Sequence, residues 1–158
     1  MGFTELNSVE HYIIHQMTGV NLNANQVSEP QKTFGAQWQF QSSEQLGRGV
    51  NEVLVESVLV KALIRLNPEI ETNPNLADEV IHKLRAILIS VNQVGLVKAN
   101  EEFFAWMTGE KTMPFGENNR HVPVNLIDFD DLTRNDYVVT NQFRIHHRET
   151  KIPDVVLM

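Results

Sequence analysis

Cysteine is absent from this chain, which excludes a disulfide scaffold, thiolate metal sites and a cysteine nucleophile, and which fits a reducing compartment. The cytoplasm is the expected location. Long apolar runs are missing as well, and the opening segment is neither basic nor followed by an extended apolar stretch. Neither a membrane span nor a signal peptide is expected, so the chain reads as soluble with no membrane partner. Positive charge is scarce: 13 Lys+Arg against 20 Asp+Glu leave a net charge of −7. That balance argues against a basic nucleic-acid arm, because non-specific affinity for nucleic acid rests on neutralising phosphates with Lys and Arg. Glycine-rich phosphate loops are lacking too. Gly47-Arg48-Gly49 has neither a third glycine nor a following Lys-Ser/Thr, and it sits in a polar stretch. No internal repeat or low-complexity tract is found.

What is present suffices for a folded domain. The 158 residues are 42% hydrophobic and 21% charged, enough to bury a core within one ordinary domain. Asn7 and Glu10 have capping-box spacing, and Val9, Tyr12, Ile13 and Met17 then share a helical face before Gly19. Residues 21–49, rich in Asn and Gln, read as a long loop with one edge strand where Trp38 and Phe40 alternate with glutamines. A helix is predicted over 50–66, with Val55, Val58, Leu59, Ala62, Leu63 and Leu66 as its stripe and Asn67-Pro68 as its stop. Asn73 as cap and Pro74 as first helical residue open another, with a stripe of Ala77, Val80, Ile81, Leu84, Leu88 and Val91 ending before Gly95. Asn100 can cap a shorter helix carrying Phe103, Phe104 and Trp106.

After Pro114-Phe115-Gly116 the period changes from helical to alternating. Strands are expected around 122–126, 137–145 and 155–158, separated by turns at 128–136 and 146–151. The chain is therefore expected to be helical over 1–110 and strand-forming over 120–158. The fold class is α/β in the broad sense (α+β), a helical N-terminal half packed on an incomplete mixed sheet. Because the sequence ends within its last apolar strand, it reads as a fragment.

Few residues carry chemistry. Asp128, Asp130 and Asp131 imitate a calcium loop only in part, since Leu132 takes the next alternate position and no glycine marks the sharp turn; an acidic β-turn is the simpler reading. His146 and His147 are neighbours, which on a strand sends them to opposite faces, so they do not grip one metal together. Glu149-Thr150-Lys151 lies in a charged turn ahead of Asp154, and its charges are expected to face water. Pro153-Asp154 before Val155, Val156 and Leu157 differs from these. A strand entry holds such a carboxylate in place, where it can ligate a divalent metal, although a plain turn aspartate fits the same dipeptide.

Together, Asp128-Phe129-Asp130-Asp131, Asp136-Tyr137-Val138-Val139-Thr140-Asn141 and Lys151-Ile152-Pro153-Asp154-Val155-Val156 resemble the nuclease domain of the R (restriction) subunit of type I restriction-modification enzymes. The resemblance extends upstream through 51–68 and through 101–109, and is least sharp over the opening 45 or so residues. It implies a restriction-endonuclease-like, PD-(D/E)xK core in which Asp154 is the first metal-binding carboxylate. The acidic residue and lysine that complete the motif come in the family from a following strand, which is not in this sequence. Glu56 matches an acidic position of the family's first core helix and becomes an auxiliary metal or water contact, in competition with Glu52 and with a surface pairing to Arg48 or Lys61.

The resemblance further implies Mg²⁺ as the nuclease cofactor, ATP for a translocating motor outside this chain, and double-stranded DNA and the modification and specificity subunits as partners. The fragment alone is expected to be inactive. Arg144, Arg148 and Lys151, with the two histidines, form a basic stretch just before Asp154 and are the candidate DNA contacts. Two alternatives stay open: a repair or junction-resolving nuclease of the same fold, and a non-catalytic module that docks a larger assembly.

Overall fold

The computed structural model describes residues 9–22 and 38–158. In chain order the elements are α1 (His11–Thr18), β1 (Gln39–Phe40), α2 (Glu56–Leu66), α3 (Pro68–Thr72), α4 (Leu76–Val94) and α5 (Leu96–Met107). Short strands follow: β2 (Thr112–Met113), β3 (Val122–Pro123), β4 (Val138–Asn141), β5 (Ile145–His147), β6 (Glu149–Lys151) and β7 (Val155–Leu157). The fold is thus mixed, with helices concentrated before residue 108 and strands mostly after it. The chain gathers into two compact units, one made of Met1–Val55 and Asp136–Met158, the other of Glu56–Asn135.

In the unit formed by the two ends of the chain, β4 is the central strand of a sheet ordered β1-β4-β7. β1 runs parallel to β4, with Gln39 opposite Val138, and so forms the edge strand expected in the glutamine-rich segment. On the other side β7 is antiparallel, pairing Asn141 with Val155 and Val139 with Leu157. Val138, Val139 and Thr140 are all buried, as an apolar β-branched run flanked by strands on both edges requires. β5 and β6 make a separate antiparallel hairpin, with His146 opposite Thr150 and Arg148 at its tip in a left-handed conformation (φ 59°). The stretch 146–151, expected as a turn, is therefore a hairpin whose polar strands carry no apolar alternation to announce them. α1 ends at Gly19 (φ 75°) as anticipated, but its buried side chain is Ile14, while Val9 and Tyr12 face solvent. The capping role expected of Asn7 lies outside the described residues.

The second unit is built on α4, which packs against α2, α3 and α5. Its buried residues Ala77, Val80, Ile81, Leu84 and Ile87 recur at the three- and four-residue spacing of one helical face. Leu88, expected in that stripe, is 38% exposed and Ile87 takes its place. Helix α2 starts at Glu56 and not at 50, because the backbone before it turns: the Glu52 amide donates to Gly49 O, and the Gly49 amide donates to Glu52 Oε2. Asn67-Pro68 stops it as expected. Buried Asn67 then uses its whole amide, with Nδ2 donating to Leu63 O and Asn125 O at 2.9 Å and Oδ1 accepting from the Asn125 amide at 2.7 Å. Asn73 and Pro74 form a turn whose carbonyls accept from Leu76 and Ala77, so α4 begins at Leu76. α5 starts at Leu96 directly after Gly95 (φ 87°), and Asn100 lies inside it, not at its cap. β2 and β3 pair antiparallel beyond it.

Candidate functional site

Asp154 stands at the entry of β7, on the side of the sheet where β4 ends. Its backbone is pinned across the pair: the Gln142 amide donates to Asp154 O at 3.2 Å and the Phe143 amide to Pro153 O at 3.3 Å. Its side chain is exposed and, among the described residues, its carboxylate has no hydrogen-bond or ion-pair partner. A carboxylate on a fixed backbone and without a partner is free to take an external ligand. β7 itself is half-buried rather than fully buried, with Leu157 54% exposed.

Around that point the chain is held by two side chains that the sequence marked only for other roles. Arg48 lies over the Phe143 ring with its guanidinium carbon 3.4 Å from the centroid, a cation–π contact. It also donates to the carbonyls of Gly49 (3.0 Å), Glu52 (2.6 Å) and Arg144 (2.6 Å), tying the segment before α2 to the turn after β4. Partial burial lowers its pKa, and the charge of Glu52 acts in the opposite sense. The second is Glu10, only 5% exposed. Its carboxylate accepts from Gln142 Nε2 at 2.8 and 3.0 Å, with Asn141 Nδ2 at 3.5 Å.

The basic residues expected before Asp154 belong to one feature. Arg144 precedes β5, Arg148 is the hairpin tip and Lys151 ends β6, and all are exposed. Lys151 is paired with Glu149 at 2.9 Å, both charges in water as anticipated for this Glu-x-Lys. His146 Nδ1 meets Thr150 Oγ1 at 2.9 Å across the hairpin.

Glu56 is the first residue of α2, and its carboxylate is bound by the Arg85 guanidinium of α4. Its partner is neither Arg48 nor Lys61. Glu52 uses its carboxylate on the Gly49 amide. The acidic stretch 128–131 forms a closed turn: Asp128 Oδ1 accepts from the amides of Asp131 (2.9 Å) and Asp130 (3.1 Å), and Oδ2 from Arg134 (2.9 Å). The Asp131 amide, with the Asp130 amide and Arg134 in support, holds the Asp128 carboxyl below the usual carboxylate range against an opposing desolvation. With its oxygens so engaged, the stretch is a turn and not a calcium loop.

A hard divalent cation such as Mg²⁺ takes about six oxygens in near-octahedral array. Among the described residues no three His, Asp or Glu side chains converge to hold a metal. Asp154 is thus at most one contributor, and the described residues do not by themselves compose the ion's site. Among them, too, no helix is long and apolar enough to cross a membrane.

Comparison with known proteins gives one result. Residues 29–158 match the family described as type I restriction enzyme R protein N terminus. No curated protein and no solved structure matches the chain.

Proposed function

The chain belongs to the type I restriction enzyme R protein N-terminal family, a restriction-endonuclease-like fold, and from that membership we propose that it carries the nuclease half of a DNA-cleaving, ATP-dependent restriction enzyme. In this reading the substrate is double-stranded DNA and the reaction is hydrolysis of a phosphodiester. Asp154 supplies one carboxylate to a Mg²⁺ site whose remaining ligands, with the motif's second acidic residue and lysine, come from elsewhere in the R protein. When bound, the ion would supply charge neutralisation and an activated water. The observation that carries the proposal is Asp154 itself, a carboxylate with no partner among the described residues, on a backbone fixed between β7 and β4.

Other side chains have lesser parts. Glu56 is an auxiliary acidic contact, which requires it to give up Arg85. That pair is half-exposed, with side chains 53% and 30% accessible, and exposed pairs of this kind hold by at most about 1 kcal/mol. Arg144, Arg148 and Lys151 steer the DNA backbone. ATP acts on a motor outside this chain, and the modification and specificity subunits deliver the assembly to DNA in the cytoplasm.

The test is made in the R protein that carries this chain, assembled with its partner subunits. Asp154→Ala is expected to abolish cleavage of plasmid DNA while ATP hydrolysis stays near wild type, and Glu56→Ala to slow cleavage by a smaller factor. Normal cleavage by the Asp154→Ala enzyme, or loss of its ATP hydrolysis with normal folding, overturns the assignment.

A further inference from the structure

Glu10 is a buried carboxylate whose partners lie far away in the sequence. Its carboxylate is buried to 5% exposure with two side-chain amides as partners and no cation among the described residues. Burying a carboxylate is costly when only neutral donors compensate. The residue it grips is unusual too. Gln142 has φ 52°, in the left-handed region that residues with a Cβ disfavour. The side chain of Gln142 is bound to Glu10, and its backbone amide donates to Asp154 O at 3.2 Å. One residue thus links the buried acid to the backbone of the exposed one.

We propose that Glu10 is a positioning residue for Asp154: by holding the Gln142 amide group, it keeps Gln142 in its left-handed conformation and so aims the Gln142 N–H at the Asp154 carbonyl, fixing the mouth of β7. The inference rests on the assignment of Asp154 as a nuclease carboxylate. It adds to that assignment a residue 132 positions distant from Gln142 in sequence, at the N-cap of α1. Glu10 touches neither DNA nor metal in this scheme, and its effect passes through Gln142.

Two variants remove the clasp differently. Glu10→Ala deletes the acceptor and leaves the Gln142 amide group unpaired, whereas Gln142→Ala deletes the donor and leaves a residue with no clasp to hold it in the left-handed region. Glu10→Gln keeps a carbonyl oxygen and serves as the conservative rescue. In the 158-residue chain, hydrogen exchange of the amides at 142 and 143 is expected to speed up about five- to tenfold in the first two variants, the loss of roughly one hydrogen bond. The amides of α4 should keep wild-type protection, and Glu10→Gln should resemble wild type.

In the assembled R protein the same two variants should lower the cleavage rate at saturating DNA while KM for DNA and ATP hydrolysis stay unchanged. Should Glu10→Ala fail to fold, Gln142→Ala decides. Unchanged exchange at 142 and 143 overturns the proposal. So does normal cleavage by Gln142→Ala in an enzyme that Asp154→Ala inactivates. Cleavage surviving Asp154→Ala refutes the nuclease assignment instead, and the exchange measurement tells the two failures apart.

Discussion

Asn67 shows what a single polar side chain can do at an element boundary. Helix α2 must end before Pro68, which has no N–H to donate and disfavours a helical residue before it. The ending brings the chain at Asn125 alongside, and Leu63 O, already bonded to the Asn67 N–H at 3.2 Å, accepts a second bond from the side chain. Asn67, 3% exposed, donates to both carbonyls and accepts the Asn125 amide. Asn67→Ala removes three hydrogen bonds, each worth about 0.5–1.5 kcal/mol net, and takes the partner from the Asn125 N–H and C=O. A destabilisation of about 2–4 kcal/mol is expected in urea melts followed by far-ultraviolet circular dichroism, with Asn67→Asp also destabilising because it lacks the donor. A midpoint unmoved by Asn67→Ala contradicts this account. Residues of this kind were half legible: Asn67-Pro68 announced the end of a helix, but nothing nearby announced Asn125 as the partner 58 positions away. Glu10 and Arg48 were marked only in other roles, as a capping-box acid and as a partner for Glu56. Their partners at 141–144 are distant in sequence, and no local pattern announces them. Asp154 stood out in the sequence because proline, acid and an apolar run are adjacent, and that run is what places it at the entry of β7.

Among the elements, α4 carries the second unit. Leu84 is fully buried and Ile89, five residues on, is 75% exposed. Leu84→Ala should cost about 2–5 kcal/mol, the loss of transfer energy plus a cavity, whereas Ile89→Ala on the solvent face should stay within about 0.5 kcal/mol. Equal effects of the two substitutions in the same urea melts would show that the helix buries a different face. This contrast also explains which elements could be foreseen. α2 and α4 are long enough for a three- to four-residue period to repeat several times, so their stripes stood out and only their ends were displaced, by a turn at 49–52 in one case and by carbonyls at 73–74 in the other. β1 and β2 have two residues each, and β5 and β6 have three. No alternation can repeat in so short a span, and the polar hairpin of β5 and β6 therefore looked like a turn. α1 misled for another reason. Its apolar side chains fall on more than one face, and tertiary contact selected Ile14 over Val9 and Tyr12.

For the whole molecule the governing quantity is charge. With 20 acidic residues against 13 basic ones, the long-range field repels DNA, and any attraction is local. Arg144 and Arg148 are exposed on or beside the β5-β6 hairpin, and Lys151 on the same hairpin is partly neutralised by Glu149 at 2.9 Å. Each phosphate neutralised contributes a slope of about 0.9 in the dependence of log affinity on log salt. Three basic side chains, one already paired, therefore support a slope of roughly 2 to 3 for the chain by itself, with weak binding at moderate salt. Fluorescence anisotropy of a labelled duplex titrated with the 158-residue chain at several salt concentrations measures both quantities. Arg148→Ala should reduce the slope by about one, and Lys151→Ala by less, because its charge is shared with Glu149. A steep slope, tight binding at moderate salt, or indifference to Arg148→Ala would mean that the chain meets DNA through another surface. A shallow slope that falls with Arg148 places the hairpin on the DNA path. Under the proposed function it also means that most of the affinity has to come from tethering to a motor and partner subunits, which raises the local concentration of DNA without further contacts from this chain.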